Sequence, residues 1–194
     1  MKTKKFTTSQ LTILGLMAGI LFLMAYTPLG YLNIGPLAVT FNVIPVAVCA
    51  IVLGPTGGAI AGAVFGLTSF MQAIGIGGVS ALGSALFQIN PFMTAVQCFG
   101  PRILDGICIG FIYRAVHKKA NTYVSCAVTG FFSAFLNTLF FMTALIVMFG
   151  NTELIRNLMG GHNIIVGCCL MVGVNAISEM VSSTIITAAV GTAL

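Results

Sequence analysis

Apolar residues fill six long stretches of this chain, near residues 10–28, 42–53, 56–74, 91–116, 123–149 and 164–193, and most charged residues fall outside them. A helix that crosses a bilayer needs about 20 mostly apolar residues, with roughly 17 to 25 tolerated. Five of the stretches reach that length. The second is short, and a tilted span, an extension back to Val39 or a re-entrant segment each accommodate it. Taken as spans, the stretches predict an all-α integral membrane protein. It forms one domain over 1–194, with a short tail at 1–9 and a compact bundle of six transmembrane helices over 10–194.

The charges are few, 8 Lys and Arg against 3 Asp and Glu in 194 residues, so their positions carry information. Lys2, Lys4 and Lys5 precede the first stretch, and Arg114, Lys118 and Lys119 lie together between the fourth and the fifth. Basic residues gather on the cytoplasmic side of membrane helices. A cytoplasmic N-terminus places both clusters on that side of the cell membrane, and six spans return the C-terminus to it. The connections at 29–41, 75–90 and 150–162 then face outward, carrying Asn33, Gln88, Asn90, Asn151, Glu153, Arg156 and His162. A site loaded from outside is the expectation.

Composition agrees, with 58% hydrophobic residues and a mean hydropathy of +1.10. A net charge of +5 would suit nucleic acid, but the basic residues flank apolar segments instead of lining a soluble face, so no nucleic-acid partner is expected. Cys49, Cys98, Cys108, Cys126, Cys168 and Cys169 lie in apolar surroundings without CxxC spacing and read as free thiols acting as small hydrophobes. The basic-then-apolar N-terminus has the look of a secretory signal, but no small-residue cleavage site with a soluble domain follows it, and a retained first helix is the reading.

Small residues form two stripes. Gly54, Gly58, Gly62 and Gly66 recur every fourth residue along the third stretch, a spacing that lets two helix backbones approach closely in lipid. An internal helix crossing or a docking surface for another membrane protein would each use it. The first stretch repeats the idea with Gly15, Ala18, Gly19 and Ala25.

Polar groups inside the apolar stretches are costly and tend to be kept for a task. Arg102 follows Pro101 well inside the fourth stretch and cannot easily shed its charge. Asp105, three residues on, lies on the same helix face, so an internal ion pair is one reading. The other has the guanidinium facing a cavity, where it receives the carboxylate of an anionic ligand in a bidentate contact while Asp105 holds it. Gln72, Asn90, Gln97, Asn137 and Asn175 share the outer halves of the helices and, with Arg102 and Asn33 of the outer connection, read as a polar substrate pocket. Glu179 is the acid of the sixth stretch, fitted either to a ligand hydroxyl or to a cation.

Catalysis has little support. Asp105, Glu153 and Glu179 are isolated from one another, which disfavours metal-assisted transfer, and neither His117 nor His162 joins a Ser or Cys constellation. No catalytic residue, metal site or resident cofactor is expected. GxxxxGK[ST] is absent, so any ATP would be used by other subunits.

Three strings carry a family likeness: Gly30-Tyr31-Leu32-Asn33-Ile34-Gly35-Pro36-Leu37, Ile44-Pro45-Val46, and Ala50-Ile51-Val52-Leu53-Gly54-Pro55-Thr56-Gly57-Gly58. Together with Ile89-Asn90-Pro91, Pro101-Arg102-Ile103-Leu104 and Leu136-Asn137-Thr138, the chain from about Leu11 to Gly150 resembles a substrate-binding S component of the energy-coupling factor (ECF) vitamin transporters, most closely the pantothenate branch. The resemblance implies a six-helix vitamin-binding bundle that works with a transmembrane coupling subunit and two cytoplasmic ATPases. It also implies that the first helix docks on the coupling subunit, with Gly15, Ala18 and Gly19 in place of the family's alanine-based motif. Pantothenate suits the residues: a carboxylate for Arg102, hydroxyls and an amide for Asn and Gln, geminal methyls for an apolar wall. An S component for another vitamin such as riboflavin, or a self-sufficient secondary transporter, are the alternatives. The absence of Trp counts modestly against large stacked ligands, and no internal repeat supports the transporter.

Overall fold

The structure, a computed structural model, describes residues 7–27, 31–33, 38–77, 80–158 and 164–193, without the side chains at 31–33, 38–39, 164–171 and 174. Lys2, Lys4, Lys5 and His162, and the side chains of Asn33, Cys168 and Cys169, lie outside the described residues. Helix α1 (Thr8–Ala25) opens with a capping box: Gln10 N–H donates to Thr7 Oγ1, and Thr7 N–H donates to Gln10 Oε1 at 3.0 Å.

The chain is otherwise all-helical, as expected, and the next element is a short ribbon that hydropathy leaves unassigned. Strands β1 (Tyr31–Asn33) and β2 (Ala38–Thr40) pair antiparallel, with Tyr31 opposite Thr40, in the connection between the first two apolar stretches. Tyr, Val and Thr favour extended backbone, and a strand at Val39 excludes the helical extension back to that residue.

Helix α2 (Val43–Ala73) contains a reversal. Gly54 takes φ 74° and ψ −166°, a conformation that glycine adopts at little cost and other residues rarely enter. A Cβ placed on Gly58 would lie 2.9 Å from Ala50 Cβ, and one on Gly57 would lie 3.0 Å from the Cys49 carbonyl oxygen. Residues eight apart in a continuous helix are separated by about 12 Å. The two legs, 43–53 and 55–73, therefore fold back on each other, and they carry the second and third apolar stretches. The first leg rises only about 16 Å, half the hydrocarbon thickness.

The chain continues through α3 (Ala81–Ile89), α4 (Pro91–Val116), α5 (Thr122–Phe149), α6 (Glu153–Leu158) and α7 (Ile164–Ala193). The short α3 and α6 sit in connections that hydropathy leaves unassigned. Among the described residues, five helices are long and apolar enough to cross a membrane: α1, α2, α4, α5 and the 175–193 part of α7. Asn90 and Asn121 cap α4 and α5, accepting from Met93 N–H at 3.1 Å and Val124 N–H at 2.9 Å.

The glycine stripe of α2 is an internal crossing. A Cβ on Gly58 would strike the Gly106 carbonyl, one on Gly62 the Arg102 carbonyl, and one on Gly66 the Cys98 carbonyl, so the second leg and α4 run antiparallel, backbone against backbone. On α5, Gly130 lies similarly against Ser183 of α7. The main core joins Leu21, Val43, Ile44, Phe65, Ile109 and Ala134 from α1, α2, α4 and α5; a second cluster joins Leu86, Leu145, Phe149 and Ile155 from α3, α5 and α6. Gly191 packs on Cys126, and Arg114 packs on Gly54, so the end of α7, the start of α5 and the 114–121 loop share one end of the bundle.

Candidate functional site

Arg102 sits one residue after Pro101, and that order decides where its side chain goes. Proline has no N–H to donate to the carbonyl four residues back, so the Gln97 carbonyl loses its helical partner. Arg102 Nη1 fills the place, donating to the Gln97 carbonyl at 3.2 Å and to the Cys98 carbonyl at 3.1 Å. Helical side chains lean toward the N-terminus, which takes the guanidinium back along α4 and away from Asp105. The anticipated pair between the two is accordingly not formed. Arg102 has no ion-pair partner among the described residues, its Nε is buried without an acceptor, and Asp105 Oδ1 is buried without a donor.

Two aromatic faces flank the cation. The guanidinium carbon lies 4.7 Å from the Phe65 ring centroid of α2 and 5.3 Å from the Phe141 ring centroid of α5. Gln97, 1% exposed, donates from Nε2 to the Phe141 carbonyl at 2.9 Å and keeps Oε1 unpartnered. Asn137, one helical turn before Phe141 on the same face of α5, is buried with Oδ1 unpartnered.

Glu179 of α7 is buried and accepts from the Thr40 N–H at 2.6 Å, which ties the ribbon to the bundle. Next along the chain, Ser133 of α5 donates to the Val43 carbonyl at 3.3 Å, placing the start of α2 beside the turn of α5 that precedes Asn137. Phe65 packs in the same core cluster as Val43 and Ile44. The start of α2, Arg102, Asn137 and Glu179 thus converge on one region of the bundle.

Sequence reasoning missed one residue there. Asn42 is 0% exposed, and neither Nδ2 nor Oδ1 has a partner. Each buried polar group left unpaired costs about 1–3 kcal/mol, so a site that leaves several open is complementary to something polar that enters it.

The other anticipated pocket residues divide. Gln72 donates from Nε2 to the Ala25 carbonyl at 2.6 Å, holding the end of α1 on α2. Asn90 serves as a helix cap at the edge of the bundle. Asn175 is buried on α7, and Asn33 ends β1. In α1, Gly15 and Gly19 are exposed, and a Cβ on either would meet nothing within 4 Å.

The family model for the substrate-specific component of ECF transporters matches residues 9–191. The chain belongs to this family. Among curated relatives, a pantothenate transporter PanT of Leuconostoc mesenteroides is 33% identical, across 88% of this chain and 81% of that protein. A pantothenic acid transporter PanT of Lactococcus lactis is 28% identical, across 98% of this chain and 96% of that protein. This S component is therefore a multi-pass transport protein of the cell membrane, in a family of transporter components and not of enzymes.

Proposed function

We propose that this S component binds pantothenate from outside the cell and delivers it inward with a transmembrane coupling subunit and two ATPases. The observation that carries the reading is a half-buried guanidinium, its Nε buried and without an acceptor and with no carboxylate partner among the described residues, held between two aromatic rings beside unpartnered amide oxygens. Such a cation receives a ligand carboxylate, and amide oxygens receive hydroxyl and N–H donors. Pantothenate presents all three, and the names of two relatives point to the same vitamin.

In this reading the two legs of α2 with α1, α4, α5 and α7 make six membrane segments, with both termini and the 114–121 loop cytoplasmic. The open face of α1 at Gly15, Ala18 and Gly19 meets the coupling subunit. Calorimetric titration of pantothenate into the purified chain, with no other subunit present, is the test: one-to-one binding is expected, and its absence in folded protein removes the assignment. Arg102→Ala is expected to weaken binding by about 2–5 kcal/mol, the scale for removing one partner of a buried charge pair. Parental affinity in that variant would make Arg102 structural.

A further inference from the structure

Among the described residues, three asparagines stand at the starts of long helices, and they are used differently. Asn90 and Asn121 have extended backbone and turn their Oδ1 onto the third residue of the helix that follows. Asn42 has helical backbone (φ −64°, ψ −15°) and makes no side-chain cap; the Ile44 N–H is served by the Phe41 carbonyl instead. Its carboxamide is fully buried with both ends open. Of the donors a cap would serve, the Ile44 N–H is taken and Pro45 has none, so the carboxamide has no helix end to satisfy.

Its surroundings are those of the site. The backbone N–H of Asn42 donates to Thr40 Oγ1 at 3.3 Å, Thr40 is bonded to Glu179, and Val43 is bonded to Ser133 one turn from Asn137. We infer that Asn42 is a specificity-determining contact for the ligand, recognising a hydroxyl adjacent to a carbonyl. A carboxamide presents one acceptor and one donor side by side. The complementary partner presents a donor and an acceptor on one edge. An α-hydroxy carbonyl does so, with its O–H toward Oδ1 and its carbonyl oxygen toward Nδ2. A carboxylate has two acceptors and no donor, so it satisfies Arg102 and not Asn42. The two residues then read opposite ends of one molecule.

The inference rests on the pantothenate reading, since pantothenate carries a hydroxyl beside its amide carbonyl. The test is calorimetry of the full chain with pantothenate and with its analogue lacking that hydroxyl, for the parent, Asn42→Leu and Asn42→Asp. The parent is expected to bind the analogue about tenfold to a hundredfold more weakly. In Asn42→Leu, which fills the volume and removes both polar ends, the two ligands are expected to bind within about threefold of each other, because the hydroxyl has lost its partner. Without ligand, this variant is expected to melt at or above the parent's temperature.

Full discrimination in folded Asn42→Leu overturns the inference and leaves the pantothenate reading standing. Failure of the parent to bind pantothenate removes that reading first. Should Asn42→Leu not fold, a structural role is indicated, and Asn42→Asp decides: it keeps the acceptor for the hydroxyl and loses the Nδ2 donor, so both ligands are expected to weaken together, and undiminished affinity for both overturns the inference.

Discussion

Helices α1 and α2 both carry glycines at a four-residue spacing, and the fold treats them oppositely. On the second leg of α2, a Cβ at Gly58 or Gly62 would fall on a carbonyl of α4. On α1, a Cβ at Gly15 or Gly19 would meet nothing. Spacing alone says that a surface is smooth enough for a backbone to approach; the partner decides whether the approach happens within the chain or is left for another molecule. The neighbouring side chains follow suit, for Ala61 and Phe65 are buried beside the α2 stripe while Leu11, Leu16 and Leu23 of α1 are more than half exposed.

Substitutions can break that contrast, and the largest effect is expected in the seam. Gly62→Leu drives a side chain into the Arg102 carbonyl, where no rotamer relieves the collision, and is expected to destabilise the bundle by about 3 kcal/mol or more. The check is thermal unfolding in detergent, and a parental melt would mean that α2 and α4 do not touch there. Gln72→Ala removes the bond that holds the end of α1 and is expected to lower stability by about 1 kcal/mol, with pantothenate affinity within about twofold. A larger loss of affinity would return Gln72 to the ligand. The smallest effect on stability belongs to Gly19→Leu, within about 0.5 kcal/mol, because the added side chain meets open space. Uptake by the assembled transporter is expected to fall in that variant while isolated binding is kept; undiminished uptake would free this face of α1 from docking.

Much of the architecture was legible in the sequence because hydropathy records burial in lipid directly. The bounds of α4 and α7 coincide with apolar stretches, and Gly54-Pro55 marks the reversal. The ribbon was not legible, since three-residue strands leave too little pattern to register. In the site, Arg102, Gln97 and Asn137 stand out as polar residues in apolar runs, and the structure brings them together around Phe141. The supposed Arg102–Asp105 pair failed because helical spacing says which residues share a face but not which way a side chain leans, and Pro101 supplies a competing carbonyl behind it. Asn42 escaped notice because it lies at the edge of an apolar stretch, where a polar residue is expected, and only the structure shows that edge to be fully buried.

The seam between α2 and α4 also has a mechanical meaning. Helices that slide past each other do so by moving side chains between alternative rotamers, and backbone laid on backbone offers none. The four-residue repeat acts as a rack with a pitch of about 6 Å, since the residues between its teeth carry Cβ atoms that would block a smaller step. The second leg of α2 and α4 therefore move as one plank. Compliance is left to the parts held by side-chain hydrogen bonds: the ribbon, through Thr40 and Glu179, and the end of α1, through Gln72 and Ala25.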